Sequence, residues 1–228
     1  TIRSMAEQMR QLMDDVVREQ EQKRKNELDA LQSQINPHFL YNTLDSIVWM
    51  VESERYEEAI SMVTALANLF RISLSQGKTI ITIAEEFQHA KNYISIQKVR
   101  YKNKFEVEFS LDEKLKDYLT IKLVIQPILE NAIYYGMEAM DGDGEILVRG
   151  YEKDGDIYID IIDNGIGMPP EQVEILLKEG VQKRKRGSGI GLINVDQRIK
   201  LYFGEDYGLH IESEPDEGTK VTIHLPMK

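Results

Sequence analysis

His38 stands directly behind Pro37 in the segment LQSQINPHFLYNTLDSI, which otherwise carries the period of an amphipathic helix. A proline inside a helix removes one hydrogen bond and crowds the preceding turn, so Pro37 is expected to kink or loosen the helix where an imidazole would meet an incoming group. Asn42 follows four residues later on the same face, where its amide could hold one ring nitrogen and leave the other nucleophilic. The competing reading is a kinked core helix with a structural histidine. A second constellation lies far downstream. Asp163-Asn164-Gly165-Ile166-Gly167 follows a strand pattern, which brings a carboxylate to the strand end beside glycines that let a planar ligand approach the backbone. A purine amino group is a fitting partner for that carboxylate. Gly187-Ser188-Gly189-Ile190-Gly191 then opens a helix, whose free N–H groups and dipole suit phosphates. Taken singly, each glycine cluster is equally a tight turn. Asn131, beside Glu130 in ILENAIYYG, offers a carbonyl oxygen to a hard divalent cation. Lys183-Arg184-Lys185-Arg186 closes the segment between the glycine motifs, as a solvated loop or as a lid whose cations reach a terminal phosphate.

Several function classes are excluded by composition. A net charge of −11 disfavours nucleic acid, whose phosphates need a basic surface. The absence of cysteine removes disulfide frameworks, thiolate catalysis and cysteine-based zinc sites. Even LTIKLVIQPILENAI is interrupted by Lys122, Gln126 and Glu130, so no run reaches the length of a membrane span. A chain that opens on Thr1 stays compatible with an upstream anchor.

The elements that must position these residues follow from changes in apolar period. Ile2, Met5, Met9, Leu12 and Val16 repeat at threes and fours as a coiled-coil seam, interrupted by REQEQKRKNE and resumed at Leu28, Leu31 and Ile35. A second helix is expected over Tyr56 to Ser75, with Ile60, Val63, Leu66, Ala67, Phe70 and Leu74 on one stripe. Together they suggest a helical hairpin that dimerises into a bundle. Thr82-Ile83-Ala84-Glu85 is a capping box opening a third helix, a joint between two domains. Beyond it the spacing predicts strands at 105–109, 145–151, 157–163, 209–213 and 220–225. Helices are expected over 121–135, from Pro170, and over 189–203. The class is α+β, one sheet faced by a helical layer. No parallel βαβ unit surrounds the glycine cluster, so a dinucleotide-binding fold is rejected.

The order of these motifs resembles the sensor histidine kinases of the LytS/YesM branch over nearly the whole chain. QINPHFLYNTLDSI is similar to the phosphoacceptor box of that family, and IQPILENAIYYG, DNGIGM, GSGIGLINVDQR and the terminal EGT are similar to its ATP-binding boxes of the Bergerat (GHKL) type. The resemblance implies a signalling helix over 1–27 and a dimerisation and phosphotransfer hairpin over 28–80. A connecting helix over 81–102 and a Bergerat-type ATP-binding sandwich over 103–228 would follow. It implies that His38 accepts phosphate with Asn42 beside it, that Asn131 binds Mg²⁺ and that Asp163 reads adenine. Gly165, Gly167, Gly187, Gly189, Gly191 and Leu192 would line the nucleotide, with Thr219 completing the adenine pocket and Lys183 to Arg186 contacting phosphate. It further implies a homodimer, a response-regulator receiver domain as partner, and a membrane-anchored parent with this portion in the cytoplasm. Two departures stand out. Tyr134-Tyr135 occupies the place where many branch members have Lys-His; and Phe39 follows His38, as in this branch generally, where the larger histidine kinase family usually puts an acid, leaving Glu130 as candidate proton acceptor. The rival readings are a water-activating ATPase of the same superfamily, for which Pro127 replaces the required glutamate, and a nucleotide-binding scaffold.

Overall fold

The computed structural model describes residues 13, 37–74, 78–102, 104–137, 142–178 and 190–228. Apart from Met13, the coiled-coil seam expected over residues 1–27 lies outside these, as do Lys183, Arg184, Lys185, Arg186, Gly187 and Gly189. The chain divides into two compact units, Thr1–Trp49 and Met50–Lys228.

Helix α1, Pro37–Glu52, runs from the first unit into the start of the second. The turn before Pro37, in which the expected kink would fall, lies outside the described residues. Thr43 and Ser46 return their hydroxyls to the carbonyls of Phe39 (2.7 Å) and Asn42 (2.8 Å), which satisfies both side chains within the helix.

In the second unit, α2 (Tyr56–Leu74) packs against α3 (Ile83–Arg100). Its buried face is Ala59, Met62, Ala65, Leu66, Leu69 and Ser73, which keeps Leu66 of the expected stripe but otherwise lies one residue out of phase with it. Ile60 and Val63 are exposed on this chain. Periodicity gives the spacing of an apolar face but not which of two adjacent faces meets a given neighbour. Thr82 and Glu85 form the expected capping box, Thr82 Oγ1 accepting from the Glu85 N–H and Glu85 Oε2 from the Thr82 N–H. Helix α3 buries Phe87, Ala90, Tyr93 and Ile94, and also Glu86, His89, Asn92 and Gln97, because α2 and the sheet domain both cover it.

Five strands order as β2-β4-β5-β7-β6: β2 Phe105–Leu111, β4 Gly144–Lys153, β5 Asp156–Asp163, β6 Gly208–Glu214 and β7 Gly218–Pro226. All neighbours are antiparallel except β2 and β4. Ile146, Val148, Ile157, Ile159, Ile161, Val221 and Ile223 alternate onto one buried face, and the layer that covers it includes Ile128, Leu129, Leu192, Val195 and Ile199. Two three-residue strands, β1 (Ile80–Thr82) and β3 (Leu119–Ile121), pair apart from the main sheet.

That small pairing corrects one expectation. The helix foreseen over 121–135 is only α4, Gln126–Asn131, followed by a π-helical turn at Ala132–Met137. Residues 119–121 are taken by β3, and Leu123 adopts a left-handed φ of 60° in the intervening turn. Helix α4 has no cap of its own. The carboxylate of Glu86, wholly buried, supplies one from α3 by accepting the N–H groups of Leu123 (2.9 Å), Val124 (2.8 Å) and Ile125 (2.9 Å). Burial pushes the Glu86 pKa up, while those three bonds and the Arg198 charge pull it down. Helix α5 is Pro170–Lys178, starting where it was expected. Arg198 of α6 (Ile190–Phe203) donates to the carbonyls of Leu123 and Lys122, and Lys122 Nζ donates to the Ser73 carbonyl (2.8 Å). The turn that launches Asn131 is thus tied to α2, α3 and α6.

Candidate functional site

The sheet and its helices enclose a cavity of about 150 Å³. Its walls are apolar side chains of α4, β5, β7 and α6, among them Ile128, Ile161, Leu192 and Val221; its polar members include Asn131, Asp163 and Thr219. The pairing Asp163↔Thr219 sets those two side by side at the ends of β5 and β7.

Asp163 is buried, and its Oδ1 accepts the Gly165 N–H at 3.0 Å. Burial raises its pKa to about 6, opposed by the backbone N–H groups of Gly165 and Thr219. Glycine is required around it. A Cβ on Gly165 would lie 2.4 Å from the Gly136 Cα, and one on Gly136 would lie 3.1 Å from Asp163 Oδ1. Gly167 has φ +62°, and a Cβ there would lie 1.9 Å from the Glu214 carbonyl oxygen, so the glycine loop lies directly against the β6–β7 hairpin. Asn164 secures the loop's base, accepting the Glu145 N–H (2.7 Å) and donating to the Asp143 carbonyl (2.9 Å).

Asn131 borders the same cavity. Its Nδ2 is buried with no hydrogen-bond partner among the described residues, and a Cβ on Gly191 of α6 would lie 3.9 Å from it. A buried N–H donor without a partner suits a ligand that brings acceptor oxygens, such as phosphate. Gly191 and Leu192 both lie on α6.

Glu130 does not line the cavity. Its carboxylate accepts from Gln126 Nε2 (2.7 Å), and burial raises its pKa. On α1, His38 is exposed and Asn42 Nδ2 lies 3.3 Å from both ring nitrogens. The spacing of four brings amide and imidazole together, but the equal distances select neither nitrogen. Sequence reasoning missed Gly136, Ile161, Val221 and Ser213. The inward period of β5 and β7 marked the two apolar ones; nothing local marked Gly136, whose neighbours Asp163 and Gly165 are distant in sequence, or Ser213, which reaches Thr219 only across the β6–β7 hairpin.

The sandwich with its carboxylate-ended strand is an ATP-binding architecture: residues 116–228 match the family model described as histidine kinase-, DNA gyrase B- and HSP90-like ATPase. Residues 26–105 match the histidine kinase model, and the chain belongs to the histidine kinase family. It is 38% identical over 224 residues to the sensor histidine kinase YesM of Bacillus subtilis, covering 98% of this chain and 37% of that protein. Identity to the sensor protein LytS of Bacillus anthracis is 34% over 203 residues, 89% of this chain and 34% of the relative. The chain therefore spans about a third of these relatives. The histidine kinase domain of the Erythrobacter litoralis EL346 blue-light activated kinase shares the fold, with TM-score 0.50 and 18% identity over 89% of this chain and 94% of that one.

Proposed function

We propose that this chain autophosphorylates on His38 with ATP and passes the phosphoryl group to an aspartate of a response-regulator receiver domain. The observation that carries the reading is the buried Asp163 carboxylate sharing one cavity with the unpartnered Asn131 amide, while an exposed imidazole stands elsewhere on the chain. Asp163 would accept from the adenine amino group, Thr219 would border the base, and Asn131 with Gly191 of α6 would hold the phosphates. Mg²⁺, held by the Asn131 oxygen and the phosphates, would neutralise charge on the transferred group.

In the transfer a ring nitrogen of His38 attacks the terminal phosphorus. An N–P bond forms, the bond to the bridging oxygen breaks, ADP leaves, and the ring's other nitrogen gives up its proton. The nucleophile must be the neutral imidazole, whose unprotonated nitrogen carries the lone pair. Positioning and charge neutralisation supply most of the catalysis in such reactions. The exposed Ile60 and Val63 of α2 support a homodimer that covers them. Among the described residues no helix is long and apolar enough to cross a membrane; the membrane-anchored parent with this portion in the cytoplasm rests on the family resemblance.

Incubation of the chain with γ-labelled ATP is expected to give acid-labile label that is lost in His38→Gln and kept in His210→Gln. Label persisting in His38→Gln defeats the proposal. Steady phosphate release without phosphoprotein would favour the water-activating ATPase, against which Pro127 stands four residues before Asn131.

A further inference from the structure

Asp163, Thr219 and Ser213 lie in one row across β5, β7 and β6, through the pairs Asp163↔Thr219 and Ser213↔Thr219. Ser213 is the residue of that row with no assigned role, and its hydroxyl makes three hydrogen bonds. It accepts the Met168 N–H at 2.8 Å, approaches the Gly218 carbonyl oxygen at 2.8 Å, and lies 2.9 Å from Thr219 Oγ1.

A hydroxyl owns one hydrogen and two lone pairs. A carbonyl can only accept, so the Ser213 hydrogen goes to Gly218. An N–H can only donate, so one Ser213 lone pair goes to Met168. What remains for Thr219 is the second lone pair, and the Thr219 hydroxyl must be the donor. Its hydrogen is therefore turned towards β6, and only its lone pairs are left for the cavity it borders.

We infer that Ser213 is a positioning residue that fixes the Thr219 hydroxyl as a hydrogen-bond acceptor and thereby selects a 6-amino purine over a 6-oxo purine. The inference rests on the nucleotide-binding reading given above. Ionised Asp163 is also an acceptor, so the polar end of the cavity offers two acceptors side by side. An exocyclic amine brings two N–H groups to them; the 6-oxygen of hypoxanthine or guanine brings lone pairs against lone pairs. A bridging water would give both hydrogens to Asp163 and Thr219 and so present the same polarity. Sites built on such obligate partners reject the mismatched group more strongly than apolar pockets reject a change of size. Met168, anchored on the same oxygen, ties this polarity to the glycine loop that carries Gly167.

The test is titration of the 228-residue chain with ADP and with IDP, at about pH 8 so that Asp163 stays ionised. Wild type should bind ADP the more tightly. Ser213→Ala frees the Thr219 hydrogen to meet a 6-oxo group, so the ADP:IDP affinity ratio should fall about tenfold, IDP gaining while ADP loses, and Ser213→Thr, which keeps the hydroxyl, should restore it. Should the alanine variant not fold, Thr219→Val removes the same acceptor with nearly the same shape and must lower the ratio likewise. An equal weakening of both nucleotides, or an unchanged ratio, overturns the inference and leaves Ser213 a loop anchor; so does a wild type that binds IDP as well as ADP. Failure of wild type to bind ADP at all removes instead the nucleotide-binding reading on which it stands.

Discussion

Replacing Asp163 with asparagine should stabilise the second unit while abolishing nucleotide binding. Burial raises the carboxyl pKa from an ordinary 3.8 to about 6. Between those values the folded chain keeps a proton that the unfolded chain has released, so stability falls as pH rises through the window and is lowest above it. At about 1.36 kcal/mol per pH unit, the ionised side chain costs up to about 3 kcal/mol near pH 8. Asparagine keeps an oxygen for the Gly165 N–H and cannot ionise. In a chain of this size 1 kcal/mol moves the midpoint by about 2–4 °C, so Asp163→Asn should melt up to about 6–12 °C above wild type at about pH 8. The gap should close towards pH 4, where wild type is protonated too; other titrating groups act on both proteins alike and cancel. Thermal unfolding followed by circular dichroism at the two pH values is the assay. A variant that melts below wild type at pH 8, or a gap that persists on acidification, would refute the claim that this carboxylate is held against its own solvation for the sake of a ligand.

Two further substitutions probe the frame around the cavity. Glu86→Ala leaves the N–H groups of Leu123, Val124 and Ile125 buried without an acceptor and should cost about 3–5 kcal/mol by urea denaturation, with Glu86→Gln milder because one oxygen is kept. Gly165→Ala sets a methyl 2.4 Å from the Gly136 Cα, backbone against backbone, and should lower ADP affinity at least about tenfold while the far-ultraviolet spectrum stays native; unchanged affinity would show that the two loops do not bound the ligand.

Local pattern sufficed wherever a residue's partners are its own neighbours. The Thr82–Glu85 capping box joins two residues three apart and formed as expected. The pairing of His38 with Asn42 is one helical turn, and the five main strands follow from alternation that the buried sheet face enforces. Asp163 at a strand end and the glycines after it were legible for the same reason. The motif order over the whole chain carried the family.

Only the tertiary structure decided what depends on distant segments. Which face of α2 is buried turns on α3, and the shortening of the 121–135 helix turns on β1 capturing 119–121 and on a carboxylate arriving from Glu86. The absence of Glu130 from the cavity lining turns on its hydrogen bond to Gln126 and its burial. Sequence by itself determined which groups are able to do chemistry, because that is a property of residue type and short spacing. Which of them share a cavity, in what protonation and with which hydrogen pointing where, was fixed by long-range packing, because desolvation and hydrogen-bond direction depend on neighbours that chain order does not reveal.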